Sequence, residues 1–213
     1  MERIVVIGVG PGGEDYLLPA ARKAAARADV LVGGKRALAL FKELGKEEVV
    51  VDSRLERIAA YLKENRDKKI AVLVSGDPGF YSLLEYLRRH FSREEIEVVP
   101  GVSSVQLAFA RAGLAWQGAA FFSLHGRDRE RLMAEEVLPA LKTKNRVALL
   151  TDARFPPQRI ALSLLKNGLG GKKMLVGENL SYPGERFVAG SPAEVAASRE
   201  EFSNCVVLIV DDY

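Results

Sequence analysis

Short apolar runs alternate along the chain with longer stretches in which apolar residues recur every three or four positions. In the first half, the short runs predict five strands, at residues 4–7, 30–32, 49–51, 70–74 and 96–99. The longer stretches predict five helices, at residues 18–27, 36–44, 55–64, 81–91 and 104–112. Near-continuous Val and Ile strands that alternate with helices are typical of a parallel sheet covered on both faces. The first half is therefore predicted to be an α/β domain.

The third of these helices has the clearest pattern. Its apolar residues follow the spacing i, i+3, i+4 and i+7, at Leu55, Ile58, Ala59 and Leu62. Residues 53–56, Ser-Arg-Leu-Glu, also form a capping-box pattern, in which serine and glutamate would satisfy backbone N–H groups of the first turn. The pattern predicts a helix that begins at this point.

The second half repeats the alternation less regularly. Strands are predicted at residues 119–123, 147–150, 174–176 and 205–210, and helices at 129–141 and 158–165. A further helix is predicted after Ser191, because a serine cap is followed by proline at the first helical position. Residues 181–185 are polar and turn-like, with room for a hairpin. Helical periodicity ends at Gly113, which divides the chain into predicted domains at residues 1–113 and 114–213.

Composition narrows the class of protein. The chain is 48% hydrophobic and 28% charged, which is ordinary for a globular protein. No apolar run approaches the ~20 residues that span a bilayer, and the apolar stretch after Arg3 is too short for a signal peptide. The single cysteine, Cys205, lies in an apolar run and is expected in a buried strand, without a disulfide. These features predict a cytoplasmic protein without a membrane segment.

The net charge is +3 and the isoelectric point about 9.0. Basic and acidic residues are interleaved along the helices, which is typical of solvated helix surfaces. Nucleic-acid binders concentrate basic residues on one face, and the sequence has no such stripe, so no nucleic-acid partner is predicted. The small basic excess would suit a polyanionic small substrate.

The first predicted strand runs into the glycine-rich residues 8–13, which formally match the dinucleotide-binding pattern G-x-G-x-x-G. Three features argue against a dinucleotide. Pro11 removes a backbone N–H from the loop, Glu14 and Asp15 add two negative charges, and the second strand ends in Gly33 and Gly34 rather than in an acid. A tight turn that needs positive φ remains the alternative interpretation.

Two further loops follow strands of the same predicted sheet. Residues 75–79 read Ser-Gly-Asp-Pro-Gly, and residues 100–104 read Pro-Gly-Val-Ser-Ser. Ligands bind outside the carboxyl ends of strands in open parallel sheets, so both loops are candidate binding loops. Each also has a structural explanation, in which Asp77 caps a helix that starts at Pro78 and a serine caps the helix at 104–112. The two explanations are compatible with each other.

The predicted strand 119–123 leads into Ser-Leu-His-Gly-Arg at residues 123–127. His125 could serve as a general base, as a substrate hydrogen-bond partner or only as a turn residue, and Arg127 could bind a carboxylate in bidentate fashion. The sequence contains no cluster with zinc-ligand spacing, no Walker loop and no G-x-S-x-G elbow.

Taken in order, these segments resemble the tetrapyrrole methylase superfamily. The resemblance is carried by residues 8–12, 28–36, 75–81 and 100–108. Trp116, the His-Gly-Arg at 125–127 and the Val-Gly-Gly-Lys-Arg at 32–36 are similar to a narrower group. That group is the cobalt-precorrin-7 carbon-5 methyltransferases, together with the N-terminal half of their fused aerobic counterparts. The similarity covers the chain from Ile4 to about Val210.

The resemblance implies a two-domain α/β fold, with an N-terminal parallel sheet and a C-terminal mixed sheet, that forms a homodimer. It implies S-adenosylmethionine as cofactor, in the cleft between the domains, and a tetrapyrrole (cobalt-precorrin) as substrate. The cofactor contacts that it implies are Pro11, Gly76, Asp77, Phe80, Ser103, Ser104, Thr151 and Leu180. The substrate contacts are Gly10, Gly12, Gly33, Gly34, Lys35, Arg36 and Arg127. His125 is the candidate for proton handling, and no metal is implied.

The chain departs from this family in one respect. Several relatives carry a Tyr-Asp pair at the end of the second strand, where this chain has Gly33 and Gly34, so a carboxylate mechanism does not transfer. The glycines are expected to leave room for the macrocycle, and Lys35, Arg36, Arg127 and Arg154 to meet its carboxylates. The fused enzymes also methylate carbon 15 and decarboxylate an acetate in a separate domain, which this chain does not show. A separate enzyme is therefore expected for those steps.

Several alternatives remain open at the level of the sequence. Another precorrin methyltransferase would act elsewhere on the ring, and other superfamily members modify ribosomal RNA or an elongation-factor histidine. An NAD-dependent oxidoreductase is a more distant alternative that the glycine loop superficially suggests. The last alternative is a non-catalytic subunit that binds the cofactor without turnover.

Overall fold

The structure is a computed structural model that describes residues 3–51, 55–126 and 128–211. The chain divides into two compact units, residues 1–103 and 104–213. The strands of the first unit are β1 (Ile4–Gly8), β2 (Val30–Gly33), β3 (Glu47–Val50), β4 (Ile70–Val74) and β5 (Ile96–Val99). Its helices are α1 (Pro19–Arg27), α2 (Lys35–Ala39), α3 (Leu55–Glu64) and α4 (Leu84–Leu87), with 3₁₀ turns at Glu14–Tyr16 and Lys42–Leu44.

The strands of the first unit form one parallel sheet in the order β3-β2-β4-β1-β5. Successive side chains of a strand point to opposite faces, so the buried strands β1 and β4 supply both faces with apolar groups. Val6 and Val72 pack with Ile58 and Leu62 of α3 on one face. The other face packs against α1 and α2. This arrangement confirms the predicted parallel sheet with helices on both faces.

Two predicted helices of this unit are shorter in the structure. The stretch predicted as 36–44 is a helix only to Ala39, and a 3₁₀ turn follows at Lys42–Leu44. The stretch predicted as 81–91 is an α-helix only over Leu84–Leu87, with turns on both sides. The capping box predicted at residues 53–56 cannot be compared, because Ser53 and Arg54 lie outside the described residues.

The second unit begins with α5 (Ser104–Ala112). Its strands are β6 (Ala120–Ser123), β7 (Arg146–Thr151), β8 (Lys173–Glu178), β9 (Arg186–Gly190) and β10 (Cys205–Val210). Its other helical segments are α6 (Arg129–Leu132), a π-helical turn at Met133–Val137, α7 (Leu138–Thr143), α8 (Pro157–Lys166) and α9 (Pro192–Ala197).

The strands of this unit form a mixed sheet in the order β6-β7-β10-β8-β9. β6 and β7 are parallel, whereas β10 runs antiparallel to both β7 and β8. One face of the sheet packs against the helices through a cluster that includes Leu149, Val176 and Val207. Because β10 reverses direction between two strands that run the same way, β6, β7 and β8 end at the same edge of the sheet.

Two features of the second unit sharpen the expectations from sequence. The capping box at Ser191 is present, with the serine Oγ accepting from the Glu194 backbone N–H and Glu194 accepting from Ser191 in return. The polar stretch 181–185 joins β8 to β9 as an antiparallel hairpin. The strand β9 is not among the strands predicted from sequence, and Val188 and Ala189 are both exposed on this edge strand.

The contacts group α5 with the second unit, so the boundary between units lies at Ser103 and Ser104, earlier than the Gly113 boundary expected from helical periodicity. Periodicity marks where a helix ends but carries no information on which sheet the helix packs against. Among the described residues, no helix is long and apolar enough to cross a membrane.

Candidate active site

Three glycines bring the loops after β1, β4 and β5 into backbone contact at the carboxyl edge of the parallel sheet. A Cβ on Gly8 would lie 2.6 Å from the Gly76 carbonyl oxygen and 2.6 Å from the Gly101 nitrogen. A Cβ on Gly101 would lie 2.7 Å from the Gly8 carbonyl carbon. No side chain fits at these distances, so glycine is required for the three loops to meet. We call these three residues the glycine contact.

The loop after β1 is tied to the loop after β4 by paired hydrogen bonds. The Gly76 N–H donates to the Gly10 carbonyl at 2.7 Å, and the Gly10 N–H donates to the Gly76 carbonyl at 3.3 Å. Gly10, Gly12 and Gly76 have φ of 80°, 137° and 68°, in the region that favours glycine. The tight turn with positive φ is therefore present. The next α-helix does not begin until Pro19, unlike a dinucleotide fold in which the loop opens directly into a helix.

Asp77 fixes the second loop and links it to the third. Its Oδ1 accepts from the Gly79 N–H at 2.8 Å, and its Oδ2 accepts from the Gly101 N–H at 3.1 Å. Residues 78–79 form a turn and the next α-helix begins only at Leu84, so the predicted helix cap at Asp77 is wrong. The carboxylate instead closes a local turn and holds the third loop against the second.

The second loop ends in two aromatic residues, Phe80 and Tyr81, of which only Phe80 was given a role from the sequence. Phe80 and Tyr81 meet edge to face with ring centroids 5.0 Å apart. Tyr81 has φ of 49°, a conformation that costs a bulky residue about 1–3 kcal/mol. Its side chain is nonetheless 56% exposed. Strained backbone of this kind is concentrated at functional sites, and a positive φ at a tyrosine leaves no signal in the sequence.

Gly33 and Gly34 have different surroundings at the end of β2. A Cβ on Gly33 would lie 3.0 Å from the Leu73 side chain, so a larger residue at this buried position would press on Leu73. A Cβ on Gly34 would meet nothing within 4 Å, and Gly34 is exposed. Lys35 and Arg36 follow as exposed residues of α2. Gly34 therefore has open space beside two exposed cations.

The remaining cofactor candidates of this region also lie in these loops. Pro11 is half-buried between Gly10 and Gly12. Ser103 is buried directly before α5, and Ser104 is its half-buried first residue. Thus Pro11, Gly76, Asp77, Phe80 and Ser103 all belong to the connected loops at one edge of the parallel sheet.

In the second unit, the loops after β6, β7 and β8 lie at one edge of the mixed sheet. Three residues singled out from sequence lie here: Thr151 ends β7, and His125 and Leu180 lie in the loops after β6 and β8. Thr151 is fully buried and its hydroxyl donates to the Phe155 carbonyl. Leu180 is also buried, and its side chain packs over Gly177, where a Cβ would come within 2.9 Å. Both side chains therefore hold their own loops in place.

Asp152, which sequence reasoning missed, is the centre of a charged cluster at this edge. Its Oδ2 lies 3.4 Å from Nδ1 of His125, 3.2 Å from Nη2 of Arg129 and 3.4 Å from Nη2 of Arg154. Its Oδ1 accepts from the Arg154 backbone N–H at 2.9 Å. We call Asp152, His125, Arg129 and Arg154 the Asp152 cluster. The only sequence signal was an aspartate directly after a buried strand.

The members of this cluster differ in how far they are exposed to solvent. Asp152 and Arg129 are 9% and 8% exposed, whereas the side chains of His125 and Arg154 are 43% and 78% exposed. Burial alone would raise the pKa of Asp152. The Arg154 backbone N–H, the hydrogen bond to His125 and the charge of Arg129 outweigh burial, and together they lower the pKa below its usual value. Asp152 is therefore an ionised acceptor at neutral pH.

A second ion-paired group holds the loop after β8. Arg111 of α5 donates from Nε to Glu185 Oε1 at 2.5 Å and from Nη2 to Oε2 at 3.3 Å. Oε2 of Glu185 also accepts from the Ser181 N–H at 2.7 Å, where Ser181 has a positive φ of 73°. The fork of Arg111 thus fixes this loop to α5. Arg127, expected to bind substrate carboxylates, lies outside the described residues.

Comparison with known proteins identifies the family. The model of the Tetrapyrrole (Corrin/Porphyrin) Methylases matches residues 3–196. A cobalt-precorrin-7 C(5)-methyltransferase from Salmonella typhimurium is 36% identical over 209 residues, which cover 98% of this chain and 99% of that protein.

Two solved structures are similar over nearly their whole length. A precorrin-6Y methylase from Archaeoglobus fulgidus has a TM-score of 0.76 at 25% identity, with 99% of each chain covered. A uroporphyrin-III C-methyltransferase from Thermus thermophilus, solved with S-adenosylhomocysteine, has a TM-score of 0.75 at 25% identity, covering 98% of this chain and 97% of that one. With the connected glycine loops and the two α/β units, these matches establish that the chain belongs to the tetrapyrrole methylase family.

Proposed function

We propose that this chain is an S-adenosylmethionine-dependent methyltransferase that methylates carbon 5 of a cobalt-precorrin in cobalamin biosynthesis. The observation that carries the proposal is the 36% identity to a cobalt-precorrin-7 C(5)-methyltransferase, which extends over nearly the full length of both proteins. A methyltransferase acting at another position of a precorrin ring is the alternative within the same family.

The glycine contact provides a physical reason for the cofactor. Gly8 and Gly101 let the three loops approach each other, and the Gly10 and Gly76 carbonyl oxygens of these loops each accept one backbone hydrogen bond. A carbonyl oxygen that already accepts one hydrogen bond retains a second lone pair, so it can accept from amino groups and ribose hydroxyls. The relative from Thermus thermophilus was solved with S-adenosylhomocysteine, the product of this cofactor.

Within this proposal, Pro11, Gly76, Asp77, Phe80, Ser103 and Ser104 hold the cofactor, with Thr151 and Leu180 as further contacts. Bound S-adenosylmethionine would supply an activated methyl group. The residues of the chain then have to align the two reactants and exclude water, effects that can lower a barrier by about 7–11 kcal/mol. Asp77 contributes by fixing the second and third loops relative to each other.

The substrate contacts follow from charge and space. Corrin precursors carry acetate and propionate side chains, and the exposed Lys35 and Arg36 beside the open Gly34 suit such a polyanion. Gly10, Gly12, Gly33 and Arg127 complete the proposed substrate contacts, and His125 is the proposed proton acceptor. The family resemblance also implies a homodimer and a separate enzyme for carbon-15 methylation and decarboxylation, and the composition of the chain predicts a cytoplasmic location.

Calorimetric titration with S-adenosylhomocysteine, with NAD as the comparison ligand, tests the cofactor class. We expect binding of S-adenosylhomocysteine only, and loss of that binding in Gly101→Ala, because the added Cβ would lie 2.7 Å from the Gly8 backbone. Gly171→Ala is the matched control, since a Cβ there meets nothing within 4 Å.

An activity assay tests the position of methylation. Incubation with S-adenosylmethionine and cobalt-precorrin-7 has to yield a product with one new methyl group at carbon 5. Binding of NAD, or a methyl group at another carbon, would contradict the proposal.

A further inference from the structure

The loop after β7 contains a buried acid that none of the roles above uses. Asp152 is 9% exposed and accepts hydrogen bonds on both oxygens. Burying a carboxylate is costly unless it is paired, so the Arg129 guanidinium beside it balances its charge. Nε of Arg129 is itself buried and has no hydrogen-bond partner among the described residues.

The charges fix which nitrogen of His125 carries the proton. An ionised carboxylate accepts hydrogen bonds and cannot donate them. Nδ1 of His125 lies 3.4 Å from Asp152 Oδ2, so a hydrogen bond between them requires the proton on Nδ1. In the neutral imidazole, Nε2 is then an acceptor with a free lone pair. The His125 side chain is 43% exposed, so a ligand can reach the ring.

We infer that Asp152 is a positioning residue that holds His125 in the Nδ1–H tautomer, with Nε2 directed to accept the proton released during methyl transfer. This inference rests on the function proposed above. Arg129 keeps Asp152 in place from a buried position, and Arg154 closes its loop through the backbone N–H. Asp152 acts through His125 and does not itself contact the reacting atoms.

The proposed step balances in atoms and charge. A bond between the ring carbon and the transferred methyl group forms as the methyl–sulfur bond breaks, and the electron pair of that bond stays on sulfur as a neutral thioether. The positive charge of the sulfonium passes to the methylated macrocycle. Loss of one proton to Nε2 of His125 removes this positive charge from the macrocycle and leaves an imidazolium beside Asp152. Within the part of the chain that the structure describes, Arg129 and Arg154 are the other charged groups that contact this aspartate.

The tautomer can be measured without substrate or cofactor. The chain has two histidines, His90 and His125, so the ring nitrogens of isotopically labelled protein give signals from two rings, which His125→Gln assigns. We expect neutral His125 to carry its proton on Nδ1 in the wild-type protein and to lose this preference in Asp152→Asn. His90, whose ring centroid lies 4.6 Å from that of Tyr86, serves as the internal reference. A wild-type ring with its proton on Nε2, or a tautomer unaffected by Asp152→Asn, would overturn the inference.

Kinetics provide the second readout. In Asp152→Asn we expect kcat to fall on the order of 100-fold with little change in KM, the lower end of what a positioned proton acceptor contributes. Asp152→Glu should restore part of the loss. Asp128→Asn is the matched control, because it removes the same charge from an exposed residue near His125 in a left-handed conformation that asparagine tolerates.

The double variant separates positioning from a structural role. If Asp152 acts through His125, adding Asp152→Asn to His125→Gln slows turnover no further. Additive losses, or a rise in KM equal to the loss in kcat/KM, would assign Asp152 a structural role. Absence of methyl transfer by the wild-type protein would defeat the proposed function, whereas the tautomer measurement would still decide the inference about Asp152.

Discussion

At the scale of single residues, the buried carboxylates of the second unit depend most strongly on their partners. Glu178, at the end of β8, is 5% exposed and accepts from the Ser203 backbone N–H at 2.6 Å and from Nε of Arg186 at 2.7 Å. Burial alone would raise the pKa of Glu178, but these two donors outweigh burial and lower the pKa below its usual value. The ionised form of Glu178 therefore stabilises the fold.

A pH dependence of stability follows. A carboxyl group whose pKa is lowered by folding contributes stability above its unfolded value and loses it as pH falls through the folded value. We expect Glu178→Gln to lower the free energy of unfolding at neutral pH by about 1–3 kcal/mol, because the neutral amide leaves buried donors less well satisfied. Its unfolding free energy should also fall less steeply below about pH 4.5 than that of the wild type, as measured by urea unfolding at several pH values.

Glu200→Gln is the control for this prediction. Glu200 contacts the same Arg186 at 2.7 Å, but its side chain is 55% exposed. Exposed ion pairs contribute little, so the change should stay within about 0.5 kcal/mol. Equal losses in the two variants would show that burial of Glu178 is not the cause.

At the scale of elements, the start of α9 illustrates a boundary that local sequence decides. Ser191 precedes Pro192 at the first helical position, and its Oγ accepts from the Glu194 N–H at 3.3 Å. Both features were readable from four consecutive residues. The start of α4 is the opposite case. Asp77 and Pro78 give the same local signal for a helix start, but the Asp77 carboxylate accepts from the Gly79 and Gly101 N–H groups instead.

The cap at Ser191 leads to a test at this scale. Ser191→Ala removes the acceptor for the Glu194 N–H, so we expect a loss of about 1 kcal/mol in the free energy of unfolding, measured by chemical denaturation. Ser191→Asp keeps an acceptor at the cap and should retain most of the stability. If alanine and aspartate were equivalent, the capping box would contribute nothing to the stability of α9.

At the scale of the whole molecule, the apolar core is divided among separate clusters. Two clusters lie on the faces of the parallel sheet, and a third lies on the mixed sheet. Leu62 belongs to one of the first two and Leu149 to the third. A cavity in one cluster removes contacts only from its own neighbours.

Cavity variants test this division. We expect Leu62→Ala and Leu149→Ala each to cost about 2–5 kcal/mol, because both side chains are almost fully buried. Native-state hydrogen exchange should show the larger loss of protection in residues 1–103 for the first variant and in residues 104–213 for the second. Leu165→Ala, at a side chain that is 38% exposed, is the control and should cost less. Equal loss of protection in both units would contradict the division.

The amino-acid sequence by itself determined the fold class, most strands and the glycine-rich loops. These follow from local rules, because a buried parallel strand is apolar along its length and a turn with positive φ requires glycine. The Gly-Val-Gly-Pro-Gly, Gly-Asp-Pro and Pro-Gly-Val-Ser-Ser segments also sufficed for the family resemblance. Residues of the proposed site that lie in these loops could be named in advance for the same reason.

The tertiary structure alone decided what depends on contacts between distant parts of the chain. Asp152 lies 27 residues from His125 and 23 from Arg129 in sequence, and only the parallel pairing of β6 and β7 brings it to them. The assignment of α5 to the second unit and the role of Asp77 were decided in the same way. Hydrogen bonds and packing between elements set these features, and periodicity along the chain carries no information about them.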